Sequence, residues 1–364
     1  MKFSAIPVNV GDSFLLQVDE KTILVDGGES KKGILPLLKN EKIRNNHIDL
    51  LICTHYDADH INGILGILES KKYTFSEIWL PEVLGSLGYT LSKTIDKLMK
   101  YVRENGVRVD VESNVEGLIY RQTDKKNKEV SSEINAKFED IDTEILEMIA
   151  EEGWISSRPY RYYMIDELLD IHHELPLKMA VTLKAVSTLI FKTLNSGAFI
   201  RWFEFDSINT PISYGFDMYS QNAVQTDITI YDEKLFFQAL RQISLSKINK
   251  HSLVYMFDKK GYPNVLFTAD SDLAFYPTPV QLKDNSIVTA PHHGAKANKL
   301  AYKQINGSNL VFVRSDRAQL HRPCAEYLNN PIRYCTICRC KIKQRVELTL
   351  SGNSFISSSP QCTC

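Results

Sequence analysis

An α+β fold is predicted by two features of the 364-residue sequence. Short apolar or alternating segments bounded by turn residues fill both ends of the chain, and a block with helical periodicity separates them. Lys2 to Val10 and Ser13 to Val18 read as strands, with Gly11-Asp12 as a tight-turn signal between them. Thr22 to Val25 is a third strand ending at Asp26-Gly27-Gly28, and a helix follows around Ile34 to Leu38. Ile48 to Cys53 is a buried strand that runs directly into Thr54-His55-Tyr56-Asp57-Ala58-Asp59-His60. Ile61, Ile64, Leu65 and Leu68 then recur at helical spacing. Ile78 to Leu80 is another strand and Leu91 to Val102 another helix.

The pattern changes between about residues 115 and 220. Residues 129–152 carry nine acidic side chains and one lysine, while Ile134, Phe138, Ile141 and Ile145 share one face. That is an amphipathic helix with an acidic outside, suited to docking a protein partner. Leu177 to Leu194 is a more apolar helix. Strands resume with Val224 to Tyr231, Leu253 to Phe257, Val265 to Thr268, Ile287 to Ala290, Leu310 to Val313 and Val346 to Leu350. The expected organisation is one domain over 1–350, with core segments 1–114 and 221–350, a helical insertion at about 115–220, and a cysteine-containing tail at 351–364.

The charges nearly cancel, 43 Lys+Arg against 44 Asp+Glu, so the whole chain has no general attraction for nucleic acid or membranes. No apolar run of about 18 residues predicts a membrane span. The opening MKFSAIPVNVGDSFLL lacks the features of a signal peptide, and a cytoplasmic location is expected. Residues 296–345 depart from this neutrality, with eleven basic residues against two acidic ones, a bias able to guide a polyanion. Six of the seven cysteines fall in the last 41 residues. Cys335-x-x-Cys338-x-Cys340 with Cys362-x-Cys364 is either a zinc site or a set of reduced thiols alternating along a strand.

The densest chemistry is His55-x-Asp57-x-Asp59-His60, four metal-ligand side chains in six residues between a buried strand and a helix. Burying unpaired carboxylates there costs several kcal/mol, and divalent cations would neutralise them. Two further strands end in the same chemistry: Val265 to Ala269 leads to Asp270, and Ser286 to Pro291 leads to His292-His293-Gly294.

In this order, Asp26-Gly-Gly, Thr-His-x-Asp-x-Asp-His, Thr-Ala-Asp270 and Pro-His-His-Gly resemble the metallo-β-lactamase superfamily. Within it they are most similar to the hydrolase domain of ComEC-type DNA-uptake proteins and their stand-alone relatives. Asn9-Val10-Gly11-Asp12-Ser13 resembles that group's opening motif, shortened by two residues, and Asn249 to Val254 resembles its Asn- and Ser-bearing strand. The resemblance covers roughly 1–110 and 225–350 and implies a four-layer αββα sandwich with two divalent cations at one edge. It implies that His55 and Asp57 bind one cation, Asp59 and His60 the other, that Asp270 bridges them and that His292 completes the shell. Asp26 would order the metal-binding loop from behind. Asp57 stands where the superfamily more often has a second His, which moves the preference from zinc toward manganese or magnesium.

The implied chemistry is two-metal hydrolysis, in which Asp59 also holds the nucleophilic water and His293 contacts a phosphate oxygen or protonates the leaving group. Lys296, Lys299 and His321 would contact substrate. A phosphodiesterase or nuclease acting on DNA is the leading reading. The alternatives are hydrolysis of a small ester, lactone or nucleotide, and a regulatory or binding subunit of a larger system.

Overall fold

The computed structural model describes residues 1–85, 185–186, 188–207, 210–227, 252–315, 322–338 and 343–364. The chain divides into two units. The first comprises Met1–Gly85, Thr188–Thr229 and Leu245–Cys364; the second, Ser86–Ser187 with Ile230–Ser244, falls almost wholly outside the described residues. The helices expected at 91–102 and 129–152 also fall outside them.

The first unit is built on two large sheets. The chain opens with β1 (Lys2–Ala5), β2 (Phe14–Val18) and β3 (Lys21–Val25), an antiparallel meander. The expected strand over residues 2–10 stops at Ala5, because Pro7 brings no N–H to a ladder. Next come β4 (His47–Ile52), β5 (Thr74–Pro81) and β6 (Phe199–Phe205), each parallel to the strand before it. Parallel strands covered on both faces read as continuous apolar runs, as Leu50-Leu51-Ile52 and Ile78-Trp79-Leu80 do.

Then follow β7 (Ile212–Ser213), β8 (Met218–Ser220), β9 (Ala223–Thr226), β10 (Tyr255–Phe257), β11 (Val265–Phe267), β12 (Val280–Gln281) and β13 (Ile287–Thr289). The last are β14 (Ile305–Asn306), β15 (Val311–Arg314), β16 (Arg333–Cys335), β17 (Val346–Ser351) and β18 (Ser354–Ser357). Nine strands form one sheet in the order β18-β17-β1-β2-β3-β4-β5-β6-β9, and seven form the other, β16-β15-β13-β11-β10-β8-β7.

The expected insertion boundary near residue 220 is therefore corrected. β6 and β9 are strands of the nine-stranded sheet, and β7 and β8 belong to the seven-stranded one. Phe199–Phe205 reads FIRWFEF, whose buried Trp202 and Phe203 satisfy a strand against β5 even though Phe199 and Glu204 are exposed.

Phe3, Phe14, Leu16, Ile23, Val25, Leu50, Ile52 and Trp79 from one sheet pack with Tyr255, Phe257, Val265, Phe267, Ile287 and Val313 from the other. Helix α1 (Ile34–Lys39) and helix α2 (Ala58–Ser70) belong to the nine-stranded side, α2 being the crossover between parallel β4 and β5. On the outer face of the seven-stranded sheet, Leu266, Val288 and Phe312 pack with Ala301 of the 3-10 segment Lys296–Gln304 and with Tyr327 of α3 (Ala325–Leu328). The result is a helix–sheet–sheet–helix sandwich of α+β class. Among the described residues no helix is long and apolar enough to cross a membrane.

Candidate metal centre

The centre is assembled from loops that leave strand ends in both sheets. Behind β4, residues 53–57 form a loop and α2 starts at Ala58, so Asp59 and His60 fall in the first helical turn. A carboxylate there is favoured by the exposed N–H groups of that turn. Asp26, just past β3, adopts φ +57° and is buried. Its carboxylate accepts hydrogen bonds from the Thr54 N–H at 2.9 Å and the Thr54 hydroxyl at 2.7 Å, and faces His60 Nδ1 at 2.8 Å. One side chain thereby fixes the turn after β4 and aims His60 Nε2 away from itself.

Helix α2 comes unusually close to the Asp26-Gly27-Gly28 turn. The Gly27 N–H donates to the His60 carbonyl at 3.0 Å, and the Gly63 N–H donates to the Gly28 carbonyl at 2.8 Å. A Cβ on Gly63 would lie 1.8 Å from the Gly27 oxygen, so only glycine permits this approach.

From the second sheet, Asp270 follows β11 and His292-His293 follow β13. Thr268 and Thr289 tie these strand ends together: the Thr268 hydroxyl donates to the Thr289 carbonyl at 2.9 Å, and the Thr268 N–H donates to the Thr289 hydroxyl at 2.9 Å. His292, His293 and Gly294 all have positive φ, at 48°, 53° and 78°. Left-handed backbone in two successive non-glycine residues is costly and is seen where surrounding structure holds a functional group in place. The His292 N–H donates to the Ala269 carbonyl at 2.9 Å. Asn298 donates to the Asp270 carbonyl at 2.9 Å and lies 3.1 Å from His292 Nδ1.

Asp270 sits at the middle of the constellation. Its Oδ2 lies 3.8 Å from His55 Nε2 and 3.3 Å from His292 Nε2, while its Oδ1 lies 3.5 Å from His60 Nε2 and 3.4 Å from His293 Nε2. Asp57 adds an oxygen 3.8 Å from His55 Nε2, and Asp59 adds one 3.4 Å from His293 Nε2 and 4.0 Å from His60 Nε2. Two donor groups thus share one carboxylate. Asp57 and Asp59 are the more open members, with side chains 38% and 25% exposed, and mark the mouth.

The donors fit divalent cations. The Nε2 atoms of His55, His60 and His293 are buried and find no hydrogen-bond partner among the described residues, an expensive arrangement unless another atom bonds them. Burial opposes charge on His60 and His293, but Asp26 and Asp59 beside the first, and Asp12 and Asp270 beside the second, outweigh it and hold both imidazoles well above their usual range. For His55 burial prevails, reinforced by His60, and lowers its pKa. Asp270 is pulled well below the carboxylate range: burial opposes this, but His293 and His60 outweigh it. Burial raises Asp57.

Two placements differ from the sequence reading. His293, expected beside the ligands as a contact to substrate, is fully buried with its Nε2 among the donor atoms. The reason is Asp12, whose Oδ1 lies 3.0 Å from His293 Nδ1 and turns that ring as Asp26 turns His60. Asp12 was not expected in the site, although the Gly11-Asp12-Ser13 motif signalled it; Gly11 at φ +88° packs on the Asp59 carbonyl, where a Cβ would approach to 1.7 Å. His321 falls outside the described residues, but its neighbour Arg322 places a guanidinium nitrogen 3.4 Å from His292 Nε2. Lys296 and Lys299 are exposed, just past the Pro-His-His-Gly turn. The basic stretch does not present one face: Arg314 is fully buried and Arg345 is paired with buried Glu41 at 2.6 Å.

Residues 6–108 match the family model described as Metallo-beta-lactamase superfamily. The chain is 40% identical over 63 residues to exodeoxyribonuclease WalJ of Streptococcus pneumoniae serotype 2 (strain D39 / NCTC 7466), covering 17% of this chain and 23% of that protein. It is 37% identical over 65 residues to exodeoxyribonuclease YycJ of Bacillus anthracis, covering 18% of this chain and 24% of that protein. The similarity therefore spans about a quarter of these relatives' length. The crystal structure of the metallo-beta-lactamase fold protein YhfI from Bacillus subtilis aligns over 92% of this chain and 96% of its own, at 11% identity and a TM-score of 0.37. The matched stretch holds Asp26, His55, Asp57, Asp59 and His60, while Asp270, His292 and His293 come from strand ends outside it.

Proposed function

We propose that this chain is a two-metal phosphodiesterase that acts on DNA. The carrying observation is that the two oxygens of Asp270 face two separate donor groups. His55, Asp57 and His292 with Asp270 Oδ2 would hold one divalent cation, and His60, Asp59 and His293 with Asp270 Oδ1 the other. Three carboxylates among seven donors suit manganese or zinc and accommodate magnesium. When bound, such a pair would supply an activated water and neutralise charge on the attacking and leaving oxygens.

The chain's own groups do the positioning. Asp59, at the mouth and kept ionised by His60 and His293 against the effect of burial, accepts a hydrogen bond from the attacking water. Arg322 beside His292 binds a non-bridging phosphate oxygen through a charge-assisted bond. Lys296, Lys299 and His321 meet flanking phosphates. The stretches shared with two exodeoxyribonucleases support DNA as the substrate class. The helical insertion expected at about 115–220 would end before β6, and its acidic helix at 129–152 would dock a protein partner.

The test is hydrolysis of end-labelled single- and double-stranded DNA with manganese, magnesium or zinc, beside a panel of neutral esters and lactones. Metal-dependent DNA cleavage that disappears in Asp59→Ala supports the reading. Turnover confined to neutral esters or lactones overturns it in favour of a small-molecule hydrolase. A metal-loaded protein inert toward every substrate overturns it in favour of a binding subunit.

A further inference from the structure

Cys335, Cys338, Cys362 and Cys364 gather beside the end of β16, and none of them is among the donors described above. Strand β16 ends at Cys335, so Cys338 does not continue it. The chain turns back through Ile337 and Cys338, and residues 362–364 return to the same place, where the Cys362 N–H donates to the Arg333 carbonyl at 2.8 Å. The sulfurs of Cys335, Cys338, Cys362 and Cys364 all lie within 4.8 Å of one another. The separations are 3.8 Å for Cys335–Cys364, 4.0 Å for Cys338–Cys362 and 3.4 Å for Cys338–Cys364. None of the four is in a disulfide.

We infer that these four thiolates form a structural zinc site, independent of the centre at the sheet edge. A zinc–sulfur bond of about 2.3 Å in a regular tetrahedron places neighbouring sulfurs about 3.8 Å apart. The three separations bracket that value. Four sulfurs converging on one point also exceed what pairwise thiol packing needs.

The surroundings favour thiolate over thiol by a second route. Backbone N–H groups donate to sulfur twice, from Thr363 to Cys338 at 3.3 Å and from Cys364 to Cys362 at 3.5 Å. The guanidinium of buried Arg314 donates to Cys364 Sγ at 3.8 Å and to the Ile337 carbonyl at 3.1 Å. A zinc ion with four thiolates carries two net negative charges, and a buried guanidinium against one sulfur offsets part of them. The spacing in the sequence, one C-x-x-C and one C-x-C with Cys340 between, does not select this foursome; the return of the chain does. The side chain of Arg314 also passes beneath the Pro-His-His-Gly turn, its Cδ 3.2 Å from where a Gly294 Cβ would stand.

Cobalt substitution tests this without reference to activity. Only thiolate ligands give cobalt an intense near-ultraviolet charge-transfer band with strong tetrahedral visible bands, and the donors described at the sheet edge are nitrogens and oxygens. The full chain loaded with cobalt is expected to show these bands, and Asp270→Asn is expected to retain them. Cys338→Ser combined with Cys364→Ser is expected to remove them, while Cys364→His keeps a weaker set. Native mass spectrometry of the protein as isolated is expected to show a zinc ion that survives Asp270→Asn. Cobalt protein without the charge-transfer band, bands that survive the double substitution, iron in place of zinc, or a Cys–Cys cross-link in the unreduced protein would each overturn the assignment. If the double variant does not fold, thiol titration of the wild type decides: four thiols must be protected until a chelator is added.

Discussion

Substituting alanine for Gly63 places a methyl carbon 1.8 Å from the Gly27 carbonyl oxygen. Cβ atoms do not approach backbone closer than 3.0 Å, so α2 must retreat from the turn by about 1.2 Å. That retreat stretches the Gly63-to-Gly28 and Gly27-to-His60 hydrogen bonds, now 2.8 and 3.0 Å, to near 4 Å. Overpacking costs about 1–3 kcal/mol and each of the two lost backbone bonds about 1 kcal/mol, giving about 3–5 kcal/mol in total. The displaced helix carries Asp59 and His60, whereas Asp270, His292 and His293 stay with the other sheet. Metal affinity should therefore fall by more than the loss of stability alone would cause. The assay pairs thermal melts of metal-free protein with calorimetric titration of manganese or zinc at a temperature where both proteins are folded. A Gly63→Ala protein with wild-type melting temperature and wild-type metal affinity would refute the argument that this contact sets the position of the α2 donors.

Other outcomes follow from the same geometry. Asp26→Asn keeps the shape but weakens the anchoring of His60, and metal affinity should drop about 10–100-fold; calorimetry showing unchanged affinity would contradict this. Arg322→Ala should cost about 1.5–3 kcal/mol of transition-state binding for a charged phosphodiester and far less for a neutral ester, so equal losses in kcat/KM on both would rule out phosphate contact. In metal-free protein His60 and His293 sit above their ordinary value of 6.5, so their contribution to stability is complete below that pH and is lost as pH rises through the folded values. Asp270 and Asp59 sit below 3.8, so theirs is present above that value and lost as pH falls. The metal-free melting temperature should peak between these limits and decline toward alkaline pH, while metal affinity rises as the two imidazoles give up their protons; a flat alkaline limb would contradict the raised imidazole values.

The His-x-Asp-x-Asp-His loop was legible because its whole pattern is local: an apolar strand, four polar side chains and an amphipathic helix in succession. Asp12 was not, because its role depends on His293, 281 residues further along the chain, and only the packed sheets bring the two together. The same applies to Arg322 beside His292, 30 residues apart in the sequence. Most strand locations could be read, since buried runs such as Ile287 to Thr289 carry apolar and β-branched residues. Strands β7 and β8, of two and three residues, are too short to show a period, and β6 lay in a region whose helical character further upstream obscured it. For the cysteines, spacing offered candidates, and the fold chose among them.

Strand β16 is the last strand of the seven-stranded sheet and pairs on one side with β15. Its other side would offer backbone groups to any extended chain nearby, the usual route to edge-to-edge aggregation. The Cys362 N–H already occupies the Arg333 carbonyl on that side, and the cysteine cluster keeps it there. Chelation should then have an effect unrelated to catalysis or to the melting temperature of the core. Once residues 362–364 come loose, the protein should begin to self-associate, with light scattering that grows with concentration and is reversed by returning zinc before the aggregates mature.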